Sequence, residues 1–178
     1  MPIYRIGTGL SLHANGRNQA SIATLEETTD DTPARYYRNL YLAYAYAAVG
    51  RFEDAADALL AVRGESQVSS EVAEFSADLI RGAPTVVESP ENLPALGDMA
   101  FVYSYVGAAD RRLEPLERSQ RLGNAGNLQS AWNPRDGETR KTERFKTLLR
   151  KFGLVDYWRD HGWPDLCRPI GDDDFACD

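Results

Sequence analysis

Gly16 and Gly50 lie 34 residues apart, and each separates two stretches that have helical periodicity. From Tyr36 to Val49 the chain has no Gly or Pro, and small alanines stand between larger side chains, which favours a closely packed helix. A second helix is predicted to begin at Phe52, because the acidic residues of its first turn suit the positive end of the helix dipole. The spacing therefore predicts stacked pairs of antiparallel helices.

The repeat pattern is strongest in its second unit and weaker on either side. Gly9, Ser21 and Leu25 of the first unit stand 34 residues before Ala43, Ala55 and Leu59, which are small or apolar positions of the second unit. Before Gly107 the local pattern returns without the 34-residue spacing, after a loop predicted near residues 82–91. We therefore expect one domain over 1–178, in which repeat-like units span about 2–35, 36–69 and 70–123.

Further helices are predicted outside the strongest unit. Residues 69–81 form an amphipathic pattern with Val72, Phe75 and Leu79 on one face, and Ser69 or Ser70 can cap it. Residues 109–122 are expected to be helical with a kink or a late start at Pro115. A helical cap is predicted over about 124–178, with helices at 143–152 and 155–161 and an extended tail over 163–178.

The net charge of −7 argues against a protein that binds nucleic acid mainly through phosphate contacts. No apolar run approaches the length of a membrane span, and the first residues lack the pattern of a secretion leader. Cys167 and Cys177 could close only a short terminal loop, so a reducing cytoplasm is the default expectation. We expect no membrane partner.

The segment from Arg144 to Arg159, followed by Gly162 to Cys167, resembles the C-terminal ending of bacterial tetratricopeptide-repeat proteins. In that group the repeats often follow an adenylate-cyclase-like or winged-helix regulatory domain, and the 34-residue spacing matches the length of their repeat. The resemblance implies an all-α, right-handed superhelix of helical hairpins with a C-terminal helical cap, and an interaction or regulatory role. These repeats prefer a small residue where Arg112 stands, which implies a splayed hairpin or an arginine directed outward.

In stacked helical hairpins the first helix of each pair lines the concave face. The positions predicted to line a protein-binding groove there are all aromatic: Tyr37, Tyr41, Tyr44, Phe101 and Tyr105. The alternative is that several of the five tyrosines between residues 36 and 46 belong to the core. The tail is the natural cover of the groove, and Trp158 and Trp163 are expected to form a structural cap.

A basic stretch over residues 135–151 holds seven Arg or Lys and three Asp or Glu. Arg140, Lys141 and Arg144 are candidate anion-binding residues within it. The alternative is that these cations form the solvated face of an amphipathic helix whose C-terminal end favours positive charge.

Residues for chemistry are scarce. His13 and His161 are the only two histidines, and His13 could line the groove. The spacing of His161, Cys167 and Cys177 matches no familiar zinc pattern, and Asp172–Asp174 lacks the spacing of a calcium loop. We therefore expect no metal, no cofactor and no enzyme activity.

The predicted function is noncatalytic binding of a protein or peptide on the aromatic concave face, with self-association through that surface as a variant. The alternative is a regulatory module that senses a small molecule or nucleic acid through the basic stretch.

Overall fold

The computed structural model describes residues 2–29, 34–65, 68–124, 128–132 and 136–178, and over these residues the protein is mostly helical. The all-α class predicted from the sequence is confirmed at that level. The α-helices are α1 (Pro2–Ala14), α2 (Asn18–Glu26), α3 (Arg35–Ala48), α4 (Phe52–Leu60), α5 (Ser70–Arg81), α6 (Glu114–Arg121), α7 (Gly137–Arg140), α8 (Glu143–Lys151) and α9 (Leu154–His161). None of the helices in the described ranges is both long enough and apolar enough to cross a membrane.

The turns after α1 and α3 are the same structure, 34 residues apart. Gly16 and Gly50 have φ angles of 72° and 78°, in the left-handed region that side chains other than glycine rarely adopt. After each glycine the chain turns back, and the amide of Arg17 donates to the carbonyl of Leu12 at 2.9 Å, as that of Arg51 does to Tyr46 at 2.9 Å. The two glycines therefore end their helices in the way that the sequence spacing predicts.

The first helix pair packs at unusually short range. A Cβ atom at Gly9 would lie 2.5 Å from Cγ of Leu25, so α1 and α2 can approach only because residue 9 has no side chain. The Ser21 hydroxyl donates to the Gly9 carbonyl at 2.7 Å across the same contact. In the second pair the equivalent positions Ala43 and Ala55 are fully buried. Small residues thus set the spacing of the helices, as the sequence pattern predicts.

Helix α5 begins where the sequence predicts, but it buries a different face. The Ser69 hydroxyl accepts a hydrogen bond from the Val72 amide at 3.2 Å, which confirms the predicted cap. The core face consists of small residues and one isoleucine: Ala73, Ser76, Ala77 and Ile80. The predicted stripe of Val72, Phe75 and Leu79 lies at the edge, and Phe75 is exposed. Helix α5 packs closely on the alanine-rich α4, and a close approach favours small side chains over large ones.

The third unit differs most from a regular helix pair. Gly97–Tyr105 and Ala109–Leu113 are 3-10 helices, where regular α-helices were expected. Pro115 stands in the first turn of α6, where its missing amide hydrogen removes no intrahelical hydrogen bond, so the predicted late start of that helix is confirmed. Further 3-10 turns span Pro90–Asn92 and Leu128–Trp132.

The C-terminal part has its own hydrophobic cluster, and its tail is not simply extended. Residues 167–170 and 174–177 form the antiparallel strands β1 (Cys167–Ile170) and β2 (Asp174–Cys177), joined by a disulfide between Cys167 and Cys177. Phe175 of β2 is fully buried against Trp158 and Trp163, which places both tryptophans in this cluster. The sequence predicted an extended tail but not the pairing of its two strands, because strand pairing depends on contacts that local composition does not show.

Candidate functional site

A cavity of about 330 Å³ opens between α1, α3 and the 3-10 helix Gly97–Tyr105. All five aromatic residues predicted for the groove line this cavity: Tyr37, Tyr41, Tyr44, Phe101 and Tyr105. We call this surface the aromatic groove. Two helical turns of α3 bring the three tyrosines to one face, since residues spaced by three or four lie next to each other on a helix.

The rings form a continuous row along the groove. The ring centroids of Tyr37 and Tyr41 are 6.1 Å apart, and those of Tyr41 and Tyr44 are also 6.1 Å apart, with tilts of 36° and 32°. The ring of Tyr44 then meets Phe101 edge-on at 4.2 Å, and Phe101 meets Tyr105 edge-on at 6.3 Å. The three separations above 6 Å are typical of favourable aromatic pairs, and the contact of Tyr44 with Phe101 is closer, so the rings of the row support one another.

The row runs from solvent into the core. Tyr37 is 44% exposed, Tyr41 and Tyr44 are half-buried, and Phe101 and Tyr105 are buried. Burial raises the pKa of the Tyr41 hydroxyl, and it raises that of the Tyr44 hydroxyl further. The outer end of the row can therefore contact a ligand, whereas the inner end forms the wall of the cavity.

The other two tyrosines of α3 belong to the core, as the alternative interpretation of this segment allowed for some of them. Tyr36 is buried and its hydroxyl donates to the Asp98 carboxylate at 3.0 Å. Tyr46 is buried and donates to Glu26 at 2.6 Å, and burial followed by this hydrogen bond raises its pKa to about 12. The helical offsets had assigned Tyr37, Tyr41 and Tyr44 to the groove, and these three are the tyrosines of α3 among the described residues that line the cavity.

A polar cluster forms the floor of the cavity. Arg112 is 5% exposed, and its Nε lies 3.6 Å from Oδ2 of Asp136, which is also buried. The hydroxyl of Ser104 donates to the other oxygen of Asp136 at 2.6 Å. Burial is the main influence on Asp136 and raises its pKa, although Arg112 acts against this shift. Of the two alternatives expected for Arg112, a splayed hairpin or an arginine directed outward, the outward direction is wrong, because the carboxylate of Asp136 allows the charge of Arg112 to be buried.

His13 lines the same cavity, as the sequence suggested. Its Nδ1 lies 2.7 Å from the Asn18 side-chain oxygen, and its ring stacks on Tyr44 at 5.8 Å. Burial lowers the pKa of the imidazole, while Asn18 and Asp136 act in the opposite direction. The neutral ring therefore serves as part of the apolar wall.

The outer rim of the groove carries a carboxylate that sequence reasoning missed. Asp98 is exposed, lines the cavity and accepts the hydroxyl hydrogen of Tyr36, while its backbone carbonyl accepts that of Tyr44 at 2.9 Å. Its position three residues before Phe101 on the same helix was the available signal. The groove thus has an acidic rim, an aromatic wall and a paired polar floor.

The tail does not cover this groove in the part of the chain that the structure describes. No residue after Asp136 is among the described residues that line the cavity. The tail instead packs on the hydrophobic cluster of the C-terminal part. There the Asp174 carboxylate forms ion pairs with Nζ of Lys146 at 3.0 Å and Nη2 of Arg150 at 2.9 Å. The described residues of the tail therefore do not cover the aromatic groove, although the sequence had suggested that they would.

The three candidate anion-binding residues have three different environments. Arg140 is 3% exposed and donates to the carbonyls of Ala131 and Asp178. Lys141 is exposed and forms an ion pair with Glu138 at 2.6 Å. Arg144 forms a bidentate ion pair with the carboxylate of Glu117, at 2.7 Å and 2.8 Å.

These placements do not favour a shared phosphate-binding surface, since Arg140 is buried and its guanidinium donates to oxygens of Ala131 and Asp178. Arg144 does line a second cavity, of about 300 Å³, together with Arg121 and Lys151. Arg135, which also belongs to the basic stretch, lies outside the described residues.

Both cysteines are joined to each other, which removes the thiolates that a metal site with His161 would need. His161 stacks on Tyr157 at 4.3 Å. The described ranges contain no group of three or more His, Cys, Asp or Glu side chains that could hold a metal ion.

Comparison of the chain with protein-family models, with curated proteins and with solved structures found no match. Inference about function therefore rests on the groove itself.

Proposed function

We propose that this protein binds a peptide segment of a partner protein in the aromatic groove, without catalysis. The observation that supports this most directly is the aromatic row, which begins at the solvent-exposed Tyr37 and leads into a cavity of about 330 Å³. Tyrosine is well suited to such contacts, because its rigid ring buries a large area at low entropic cost while the hydroxyl can hydrogen-bond. The cavity is large enough to take one or two side chains of an extended segment.

We propose further that the helices belong to a repeat of the tetratricopeptide type, as the resemblance implies. The support is the pair of matching turns at Gly16 and Gly50, with matching small residues in the two helix pairs. Rigid stacked hairpins would present a groove that needs little rearrangement on binding, which reduces the entropic cost of association.

The polar floor fits a binding role better than a catalytic one. Ser104 donates to Asp136, and Asp136 also pairs with Arg112, so these groups hold each other in place beneath the aromatic wall. A buried polar network of this kind stiffens the site that it supports.

The experiment is a selection of random twelve-residue peptides displayed on phage, carried out on the wild-type protein with counter-selection on a Tyr37→Ala/Tyr41→Ala variant. Both tyrosines retain solvent exposure, so their loss should leave the fold intact, which circular dichroism would check. The control is Tyr157→Ala, which removes a 56% exposed tyrosine outside the groove. Affinities of synthetic peptides are then measured by fluorescence anisotropy.

We expect selected peptides to bind the wild type and Tyr157→Ala equally, and to bind the double variant at least tenfold more weakly. Equal binding to all three proteins, or no enrichment of any sequence, would contradict the proposal. Light scattering of the wild type and the double variant separates the case in which the partner segment belongs to a second copy of this chain, since a dimer would then be lost in the variant.

The alternative function, sensing of a small molecule or nucleic acid through the basic stretch, is supported only by the second cavity. Arg121, Arg144 and Lys151 surround it, but Arg144 is already paired with Glu117. Salt-dependent binding of a fluorescent polynucleotide, lost in an Arg121→Gln/Lys151→Gln variant, would favour this alternative.

A further inference from the structure

We infer that the partner segment places a lysine or arginine side chain at the outer end of the aromatic groove, over Tyr37 and Tyr41 and beside the Asp98 carboxylate. This inference rests on the proposed function and specifies the chemistry of the segment that the groove would select. Three observations support it: the adjacent rings of Tyr37 and Tyr41, the carboxylate of Asp98 at the rim, and the weak influence of the positive groups near the groove.

The rings offer a site for the apolar stem and the head of a cationic side chain. Tyr37 and Tyr41 stand next to each other at 6.1 Å, and Tyr37 is the more exposed of the two. A positive group within about 6 Å of an aromatic ring is attracted by the negative charge on the face of the ring. The long aliphatic stem of lysine or arginine covers ring surface at the same time.

Asp98 supplies the negative charge that such a group needs. Its side chain is exposed at the rim, and the Tyr36 hydroxyl donates to one carboxylate oxygen at 3.0 Å, which orients the group. A carboxylate has more lone pairs than this one hydrogen bond uses, so it can also accept from an ammonium or a guanidinium. Burial is the main cause of the raised pKa of the Tyr41 and Tyr44 hydroxyls, and the charge of Asp98, which lines the same cavity, acts in the same direction.

The positive groups near the groove do not oppose this charge. Arg112 lies buried at the floor beside Asp136, so the two charges offset each other there. The burial of His13 favours its neutral form. The whole chain carries a net charge of −7, which steers a basic segment toward the protein over longer distances. Charge complementarity therefore favours a basic segment over an acidic one.

The first test uses the peptides selected on the wild-type groove. In each, every lysine is replaced in turn by acetyl-lysine and every arginine by citrulline, which removes the charge and keeps the length. We expect one position whose replacement weakens binding about tenfold to the wild type, and much less to an Asp98→Asn variant. The asparagine oxygen can still accept from Tyr36, and Asp160→Asn is the control for loss of one negative charge elsewhere.

The second test does not depend on any peptide. N-acetyl-arginine amide and N-acetyl-citrulline amide are titrated into the wild-type protein, and nuclear magnetic resonance follows the amide signals of α3 and of residues 97–105. We expect the arginine compound alone to shift these signals, and Asp98→Asn to reduce the shift.

The outcomes separate this inference from the proposed function. Groove-dependent peptides that tolerate every charge removal, or that contain no lysine or arginine, would overturn the inference and leave peptide binding standing. Failure of the selection, together with a groove response to the arginine compound, would reject peptide binding and retain the cation site. Both tests would overturn the inference if the arginine and citrulline compounds shift the amide signals equally, or not at all, and if the peptides bind equally well after their charges are removed.

Discussion

Arg112 and Asp136 form a buried ion pair, 3.6 Å between Nε and Oδ2, beneath the aromatic groove. The two residues are 24 positions apart, and the pair connects the 3-10 helix Ala109–Leu113 to the start of the C-terminal part. A charge in such a position is tolerated only while its partner remains. The pair therefore supports the floor of the site.

Replacement of Arg112 should be strongly destabilising. In Arg112→Met the carboxylate of Asp136 would stay buried without its main compensating charge, and we expect a loss of about 3 kcal/mol of unfolding free energy at pH 7. Urea titration followed by circular dichroism measures this loss. Arg118→Met, which removes an exposed arginine of α6, is the matched control and should change stability by less than about 0.5 kcal/mol.

The same variant should respond to acid in a defined direction. Burial raises the pKa of Asp136, and loss of Arg112 would raise it further, so the group would become neutral at a higher pH. The difference between wild type and Arg112→Met should therefore shrink between pH 7 and pH 4. A difference that stays constant over this range would mean that lost packing, rather than an unpaired charge, causes the effect.

Two glycines of α1 should respond oppositely to the same substitution. At Gly9 the new methyl group would lie 2.5 Å from Leu25, whereas no atom lies within 4 Å of the equivalent position at Gly7. We expect Gly9→Ala to lower the unfolding free energy by about 1–3 kcal/mol through overpacking. Gly7→Ala should raise it by about 0.5–1 kcal/mol, because alanine restricts the unfolded chain. Thermal unfolding of the two variants checks the prediction, and equal effects would contradict the close contact of α1 with α2.

The disulfide between Cys167 and Cys177 should stabilise the C-terminal cluster. The disulfide closes a short loop, since its cysteines are ten residues apart, and this restricts the unfolded chain. Removal of the bond should therefore lower the unfolding free energy by about 3 kcal/mol. All three tryptophans lie in this cluster, so tryptophan fluorescence reports on it separately from helices α1 to α5. In a Cys167→Ser/Cys177→Ser variant, the fluorescence transition in urea should move to lower denaturant, and reductant should have the same effect on the wild type.

An unchanged transition under reductant would show that the packing of Phe175 and the ion pairs of Asp174 hold the hairpin of β1 and β2 without the disulfide. Disulfides persist mainly in oxidising compartments, so the bond does not fit the reducing compartment that the two cysteines suggested in the sequence. The cytoplasmic location stays a prediction.

Much of the helical structure and the wall of the groove could be predicted because both depend on local spacing. Tyr37, Tyr41 and Tyr44 share a face through the geometry of one helix, and Gly50 marks its end through a φ angle that other residues avoid. The predicted helices over 143–152 and 155–161 match α8 and α9 for the same reason. Patterns within about ten residues were therefore informative.

The features that could not be predicted depend on residues far apart in the chain. An Arg112 directed outward was one of the two alternatives expected, because its partner Asp136 was invisible to a local pattern. Arg140 is buried because its guanidinium donates to oxygens of Ala131 and of Asp178, and Asp178 lies 38 residues further along the chain. Burial of a polar group depends on its partners, which only the fold brings together.

His13 should make the stability of the protein depend on pH in the mildly acidic range. Burial lowers its pKa in the folded state below the ordinary value of 6.5, although Asn18 and Asp136 act against this shift. Between the lowered pKa and about 6.5 the unfolded chain binds more protons at this site than the folded chain, so the contribution of His13 to stability falls as the pH falls. Above about 6.5 both states hold the neutral ring, and this contribution no longer changes.

The measurement is the unfolding free energy of the wild type and of His13→Gln from pH 8 to pH 5, by urea titration. Asp136 also makes the stability depend on pH, but in the opposite direction, because its raised pKa lets the folded state bind a proton more readily than the unfolded chain. Asp136 is present in both proteins, so its effect on the unfolding free energy largely cancels when the two are compared. We expect the stability advantage of the wild type over His13→Gln to shrink below pH 6.5. If the two curves stay parallel, the ring titrates equally in the folded and unfolded states, and His13 cannot be a neutral wall of the groove.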